Sequence, residues 1–445
     1  MTLFSLSLMD ICIIETVWMG GAKYGIFDKL LLTSFSILPT LHARQIAAIT
    51  PPHHTIHLIN ERYESINFDH PYDVVHINCT TSTASHAYDI ADRFRQHGIT
   101  VVLSGLHPAA VPSEAGEHAD SVLLGRGELN WLDCLQDIEK NTLKKTYPAK
   151  QYTSKTTLPP TNVQLPGFVM TGAIEATRGC PYCCSFCPEV NIDGGSQYYK
   201  RPIPDVIAEL RSIPQKTIMF YDASLTVDTA YTKQLFREMI GLGKRFFCNG
   251  NADVLAHDTE LVALSKQAGC ISWLVGFESI SQTTIDTIGK QTNIVTDYQQ
   301  AVDNIHHHKM AVIGCFIFGF DTDTVDIFSE SLQMIKQLRI DICDFCVLTP
   351  FPGTPLFTSL QNDGRIITTD WQQYNLKSVV FTPKHMTAEH IHTGVRQLYT
   401  EYYSLSYTIQ RAFRGLRYGI VPFFFILVRN MIATMNSRRL STTKA

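Results

Sequence analysis

No sign of charge dominates this chain. Its 445 residues carry 37 lysines and arginines against 41 aspartates and glutamates, a formal net charge of −4. That excludes the global basic field with which a protein grips nucleic acid by its phosphates. Long apolar runs are missing too. The N-terminal stretch MTLFSLSLMDICIIETVWMGG is broken by Asp10 and Glu15 and has no basic region ahead of its apolar residues. It is a poor signal peptide and too interrupted to span a bilayer, so residues 1–26 are expected to be an N-terminal extension or the product of a start codon placed too early. Near the other end, Ile420 to Val428 is interrupted by Pro422 and falls far short of the ~20 residues of a spanning helix. There is no disulfide framework either: the 12 cysteines are scattered apart from one loop, and Cys270, Cys315 and Cys346 sit in apolar strand-like runs, as in a reducing cytosol. What remains, 45% hydrophobic and 18% charged, suits two or three folded domains.

One loop gathers what the rest lacks. Glu175 to Pro188 reads E-A-T-R-G-C-P-Y-C-C-S-F-C-P, with Cys180, Cys184 and Cys187 spaced C-x₃-C-x₂-C and an extra Cys183 inside the first gap. Three thiolates on one short loop can hold three irons of a cubane and leave the fourth without a protein ligand. Structural zinc and iron sites close all four positions, whereas an open position is built to bind a reactant. No second cysteine pair lies nearby; the bland alternative is a zinc knuckle with a remote fourth ligand. Gly179 and Pro181 tighten the turn, and Arg178 sets a positive charge beside an anionic cluster. The spacing, with aromatic Phe186 before the last cysteine, resembles the 4Fe–4S motif of the radical S-adenosylmethionine (SAM) enzymes, which implies a (β/α)₆ barrel of TIM type and SAM as cofactor.

Upstream, short apolar runs alternate with helical ones. Strands are expected at Lys29–Leu32, Thr55–Ile59, Asp73–Asn78, Thr100–Leu103 and Ser121–Leu124, with helices at Ile37–Ile49, Ser85–His97, from Ser113 and at Leu129–Asp137. This predicts a doubly wound parallel sheet over residues 27–140, whose ligands sit beyond the carboxyl ends of the strands. The series V-V-L-S-G-L-H-P, P-S-E, A-D-S-V-L-L-G and G-E resembles the Rossmann-like cobalamin-binding domain that precedes the barrel in one large radical SAM subfamily. The implied cobalamin contacts are Asn78, Thr80, Thr81, Ser82, Gly105, Leu106, His107, Gly125, Gly127 and Glu128. The D-x-H-x-x-G motif that supplies a cobalt ligand elsewhere is absent, so His107 is either an axial ligand or a loop histidine at the cofactor's edge.

Residues 141–169, rich in Lys, Thr and Pro, read as a linker. The barrel is expected over 170–360, with strands at Ile174–Ala176, Thr217–Tyr221, Phe246–Asn249, Ile271–Gly276, Val312–Phe318 and Cys343–Leu348. Its active site belongs at their C-terminal ends. There Asp222 either accepts a hydrogen bond from a bound ammonium or caps the next helix. Glu278, followed by Ser279, either takes a ribose or closes a salt bridge. Gly319 ends an apolar strand suited to adenine or simply to the barrel core. Pro350 lies in L-T-P-F-P-G-T-P, which resembles the adenine-edging turn of the same subfamily. Asn249 and Asn251 stand where relatives often show an arginine. The resemblance covers roughly residues 27–405.

Residues 361–445 are expected to be mainly helical. The segment R-A-F-R-G-L-R-Y-G-I-V-P-F-F-F-I-L-V-R either lies in a membrane interface or covers the barrel bottom. The resemblance implies a cobalamin-dependent methyltransferase that acts on an unactivated carbon through a 5′-deoxyadenosyl radical and methylcobalamin. A cyclase or rearrangement enzyme with the same cofactors is the alternative, and an iron–sulfur electron carrier the rival from outside enzymology. A methylthiotransferase is disfavoured because Cys12, Cys79 and Cys134 are too far apart for a second cluster. Expected partners are a small-molecule or lipid-like substrate and a flavodoxin- or ferredoxin-type electron donor, with no nucleic acid, in a cytoplasmic protein with peripheral membrane contact through its C-terminal region.

Overall fold

Ile11 to Ile14 is an unbroken apolar run between Asp10 and Glu15, and it lies at the heart of the first sheet. The computed structural model describes residues 8–17, 41–62, 64–153, 156, 158, 161 and 170–440. In it Asp10–Glu15 forms strand β1, paired in parallel with β2 (Thr55–Asn60) on one side and β3 (Val74–Asn78) on the other. Within the expected extension, Asp10–Glu15 is therefore an integral strand of the first domain. A parallel strand covered on both faces shows no polar alternation, which is why the run resembled a failed leader. The expected strand at Lys29–Leu32 lies outside the described residues. β4 (Thr100–Ser104), β5 (Ser121–Leu123) and β6 (Thr146–Tyr147) complete a six-stranded parallel sheet in the order β2-β1-β3-β4-β5-β6. β6 takes the sheet past the expected boundary at 140 into the presumed linker, because Val122 and Leu123 offer it a free edge. The strand order reverses between β1 and β3, so the crevice that doubly wound sheets use for ligands opens at Glu15, Thr16 and Asn78.

The second sheet is also all parallel, in the order β14-β13-β12-β11-β10-β7. Its strands are β7 (Thr171–Ile174), β10 (Thr217–Phe220), β11 (Arg245–Gly250), β12 (Cys270–Glu278), β13 (Ala311–Phe318) and β14 (Ile342–Val347). A two-residue ribbon, β8 (Thr177–Arg178) with β9 (Tyr199–Lys200), brackets the cysteine loop. β7 ends earlier than expected: Glu175 and Ala176 already belong to the turn into that loop. Helices follow each strand, and Trp273, Val275, Phe277, Phe316 and Phe345 bury into the layer between them and the sheet. Six βα units with unpaired first and last strands make the partial barrel that the sequence predicts.

Helices Leu405–Gly415 and Ile420–Leu440 form an antiparallel hairpin. Arg411 meets Asn430 at 2.6 Å, and a Cβ at Gly415 would stand 2.9 Å from Ile426. Pro422 sits in the first turn of the second helix, where a missing N–H costs nothing. One side of the hairpin closes the barrel: Tyr418 and Ile426 pack on Ala311, Ile313 and Ile342, and Val421 and Phe425 on Met219, Phe247 and Ile271.

Candidate active site at the domain interface

Gly179 holds φ +70°, and a Cβ there would strike the Gln197 carbonyl at 2.1 Å, so the chain can enter the cysteine loop only through glycine. Cys184 is buried, Cys180 and Cys187 are partly so, and Cys183 is exposed. Asn191 Nδ2 donates to the carbonyls of Cys184 (3.3 Å) and Cys187 (2.7 Å), which fixes the second half of the loop. Ser185 donates its N–H to Ile288 O (3.0 Å), and its own carbonyl accepts from Leu356 N (3.1 Å). The loop is thus wedged between the segments that follow β12 and β14. Burial raises the thiols of Cys180, Cys184 and Cys187, the last to about 11.

The first domain clasps this loop at both ends. Arg126 pairs with Glu189, just after Cys187, while Glu128 faces Arg178, just before Cys180, at 3.7 Å. Arg178 also pairs with Glu175, which accepts from Gln45 Nε2 at 2.8 Å. Tyr152 donates its hydroxyl to Glu128 at 2.6 Å. Burial alone would raise the Glu128 carboxyl, yet Arg178, His42 and Arg126 together bring it down to about 2. A buried ion-pair cluster that spans two domains fixes geometry more than it adds stability, and removing one member leaves its partner's charge stranded.

The strand ends of the barrel carry the predicted residues in unequal roles. Asp222 is fully buried and accepts from Ala176 N (3.1 Å), Thr177 N (2.5 Å) and Thr177 Oγ1 (2.6 Å). Its carboxyl, pushed up to about 6 by burial, is spent on the turn into the cysteine loop. It does not cap the next helix: Thr229–Met239 takes its cap from Asp228. Glu278 is different. It adopts φ +61° at a bulge in β12, a conformation that costs a non-glycine residue about 1–3 kcal/mol and that gathers at functional sites. Its carboxylate folds back over Gly276, where a Cβ would lie 2.3 Å from Oε1, and pairs with Lys290 Nζ at 3.1 Å. Burial pulls the Lys290 ammonium down, but Glu278 and the Cys184 and Cys187 thiols outweigh it and the net effect is upward. Lys290 therefore puts a positive charge between the cysteine loop and Glu278. Ser279 is buried and accepts from Ser281 N at 3.1 Å. Gly319 has φ +111°, and its N–H donates to Asp323 at 2.9 Å. Phe186 lies edge-on to Phe320, 6.3 Å away, and Pro350 is buried beside β14. Asn249 donates to Asp222 O at 2.9 Å, which leaves its buried Oδ1 without a partner, and Asn251 reaches Tyr182 of the cysteine loop at 3.5 Å.

In the first domain the residues predicted to receive one ligand divide. Thr80 is exposed and Ser82, Gly105 and Leu106 half-buried at the reversal crevice, with Asn78 and Thr81 buried beneath them. Asn78 Nδ2 donates to Glu15 at 3.3 Å, and Thr16 donates to Asn78 O at 2.9 Å. The other four are surrounded by contacts within the protein. His107 is fully buried, 3.4 Å from Glu114 and edge-on to Trp371 at 4.9 Å. A Cβ at Gly125 would meet Ala149 at 2.7 Å and Asp193 O at 2.8 Å, and one at Gly127 would meet Ser104 at 2.7 Å. Glu128 belongs to the clasp.

Residues 174–335 match the model of the radical SAM superfamily. The chain is 30% identical over 398 residues to the bacteriochlorophyllide d C-12(1)-methyltransferase of Chlorobaculum tepidum, with 86% of each chain covered. The chain belongs to the radical SAM superfamily. This radical SAM enzyme is also 25% identical over 246 residues to the anaerobic magnesium-protoporphyrin IX monomethyl ester cyclase of Cereibacter sphaeroides, which covers 54% of this chain and 39% of the cyclase. Its fold is that of the methyltransferase TsrM from Kitasatospora setae, solved with cobalamin and a 4Fe–4S cluster bound. The two agree at TM-score 0.68 and 13% identity over 97% of this chain and all of the other. Sequence reasoning missed four residues of the radical SAM enzyme's site: Glu15, Arg126, Arg178 as a clasp residue, and Lys290. Glu15, a half-buried carboxyl pushed up to about 7 by desolvation, was set aside with the presumed extension. Lys290 had one available signal, a lone lysine after the short helix Gln282–Thr287 that returns the chain toward the cysteines.

Proposed function

We propose that the chain is a cobalamin-dependent methyltransferase acting on an unactivated carbon, with a flat tetrapyrrole as the first substrate class to test. The observation that carries this reading is the match over 86% of both chains with a carbon methyltransferase, against a match to only 39% of the cyclase. When bound, the cluster and SAM supply a radical that takes hydrogen from carbon, and cobalamin supplies a methyl group. Cys180, Cys184 and Cys187 would hold the cluster. Glu278 and Lys290 present a fixed carboxylate and ammonium beside it, suited to the hydroxyls and the carboxylate of SAM. Thr80, Ser82, Gly105 and Leu106 would face a cobalamin in the crevice, while His42, His76 and His107 each turn Nε2 to a protein partner. Arg126 and Glu128 keep that crevice in register with the cysteine loop, which methyl transfer between two stations needs. Anaerobic turnover with SAM and a chlorin should release 5′-deoxyadenosine and S-adenosylhomocysteine in equal amounts. Release of 5′-deoxyadenosine with product but no S-adenosylhomocysteine assigns the cyclase chemistry instead.

The reading extends to an anionic bilayer surface. Residues 402–445 contain no carboxylate side chain but seven cations, Arg411, Arg414, Arg417, Arg429, Arg438, Arg439 and Lys444. Leu405, Ile409, Phe413, Leu416, Ile420 and Phe424 are exposed along the hairpin at near-helical spacing. An apolar stripe with basic flanks is the pattern of an interfacial helix, and no helix among the described residues is long and apolar enough to cross a membrane. Co-sedimentation with vesicles containing phosphatidylglycerol, lost in Phe413→Asp and absent with phosphatidylcholine alone, tests it. A dimer in place of vesicle binding would assign the stripe to a second copy.

A further inference from the structure

At the opposite end of β1 from the cofactor crevice, three metal-binding side chains from three separate segments converge. Asp10 opens β1, His57 stands in β2, and His70 belongs to the connection that leads into β3. The carboxylate of Asp10 turns one oxygen to each imidazole: Oδ1 lies 2.7 Å from His57 Nε2, and Oδ2 is hydrogen-bonded to His70 Nε2 at 2.8 Å, a bond that an ion would replace. All three donor atoms fall within 4.8 Å of one another. Asp10 Oδ1 and His57 Nε2 are both buried, and although they nearly touch, neither has the alignment of a hydrogen bond. Two lone-pair donors aimed at common ground without a proton shared between them is what a ligand set looks like. Asp73 adds a second carboxylate next to it, accepting from Asp10 N at 2.7 Å.

We infer that Asp10, His57 and His70 bind a divalent transition ion of the zinc class. Two imidazoles and one carboxylate select borderline ions such as Zn²⁺ over Mg²⁺ or Ca²⁺, which prefer all-oxygen shells. A tetrahedral ion with ligands at about 2.0–2.1 Å spaces its donors roughly 3.3 Å apart, wider than the two Asp–His contacts and inside the 4.8 Å span of the group. The side chains keep 30–38% of their surface exposed, which gives the ion a way in and leaves a fourth position for water. The site acts as a staple. β2 is the edge of the sheet, and the ion ties that edge to central β1 and to the chain entering β3. β1 runs on from Asp10 to Glu15, about 16 Å at strand rise, so the ion stands well away from the catalytic face.

The test uses full-length enzyme with its cluster reconstituted anaerobically and loosely bound metal removed by a chelating resin. Titration with Co²⁺ should give visible d–d absorption that saturates at one equivalent per chain and disappears when Zn²⁺ is added. His70→Gln should weaken Co²⁺ binding at least about a hundredfold while iron content and circular dichroism stay as in the wild type. Asp10→Asn combined with His57→Gln should abolish it. Glu139→Gln, which disrupts the neighbouring His53–His54–Glu139 group, should leave it intact. Absence of a saturable Co²⁺ signal in the wild type, or a signal unchanged by His70→Gln, would overturn the assignment. So would loss of the signal in Glu139→Gln alone.

Discussion

Neutralising Glu128 should loosen the domain clasp and the cysteine loop together. In Glu128→Gln the amide keeps an oxygen for the Tyr152 hydroxyl but removes the anion that faces Arg178 at 3.7 Å and His42 at 3.8 Å. Burial would raise this carboxyl, yet its cationic neighbours hold it at about 2 against an ordinary 4.5. At ~1.36 kcal/mol per pH unit, the ionised form contributes about 3 kcal/mol to the folded, clasped state. A lowered pKa works in one direction: the contribution is complete above pH 4.5 and is lost as the pH falls through 2. Wild type and variant should therefore differ by the full amount at pH 7.5 and converge in acid. If all of it bears on opening the loop, a chelator should bleach the variant's cluster about a hundredfold faster. The assay is the decay of cluster absorbance under excess chelator at pH 7.5, beside urea unfolding followed by tryptophan fluorescence. A variant that keeps its iron as long as the wild type and unfolds at the same urea concentration would refute the clasp.

Iron counting after anaerobic reconstitution should find Cys183→Ser competent and Cys184→Ser deficient, since Cys183 is exposed and Cys184 is buried within the loop. Gly276→Ala should cut SAM cleavage at least about tenfold with the cluster retained, because a methyl 2.3 Å from Oε1 displaces the Glu278 carboxylate; full activity would remove Glu278 from the site. Electron paramagnetic resonance of bound Co(II) cobalamin should show no splitting from a protein nitrogen, and His107→Ala should leave the spectrum unchanged. Splitting that His107→Ala abolishes would put that ring on the metal.

The cysteine loop was legible because its pattern is local: three thiols on eight residues stand out by their spacing alone. The two sheets were legible from alternating strand and helix patterns. What escaped was long-range. β1 hid because a strand buried on both faces has no alternation to betray it. Gly125 and Gly127 were expected to face cobalamin; what lies against them in the fold, Asp193, Ala149 and Ser104, could not be read from a glycine in the sequence. Glu128 and Asp222 were recognised as purposeful carboxylates. Their partners, Arg178 and the Ala176–Thr177 backbone, stand about 45–50 residues away in sequence and meet them only in the fold.

Transfer of label from SAM tests the central claim most directly. Reconstituted enzyme supplied with cobalamin, a reductant, a chlorin substrate and SAM bearing a deuterated methyl group should yield a product one labelled methyl heavier, its new bond on carbon by nuclear magnetic resonance. A product formed with consumption of SAM but without the label would contradict methyl transfer and leave a radical SAM enzyme of another reaction.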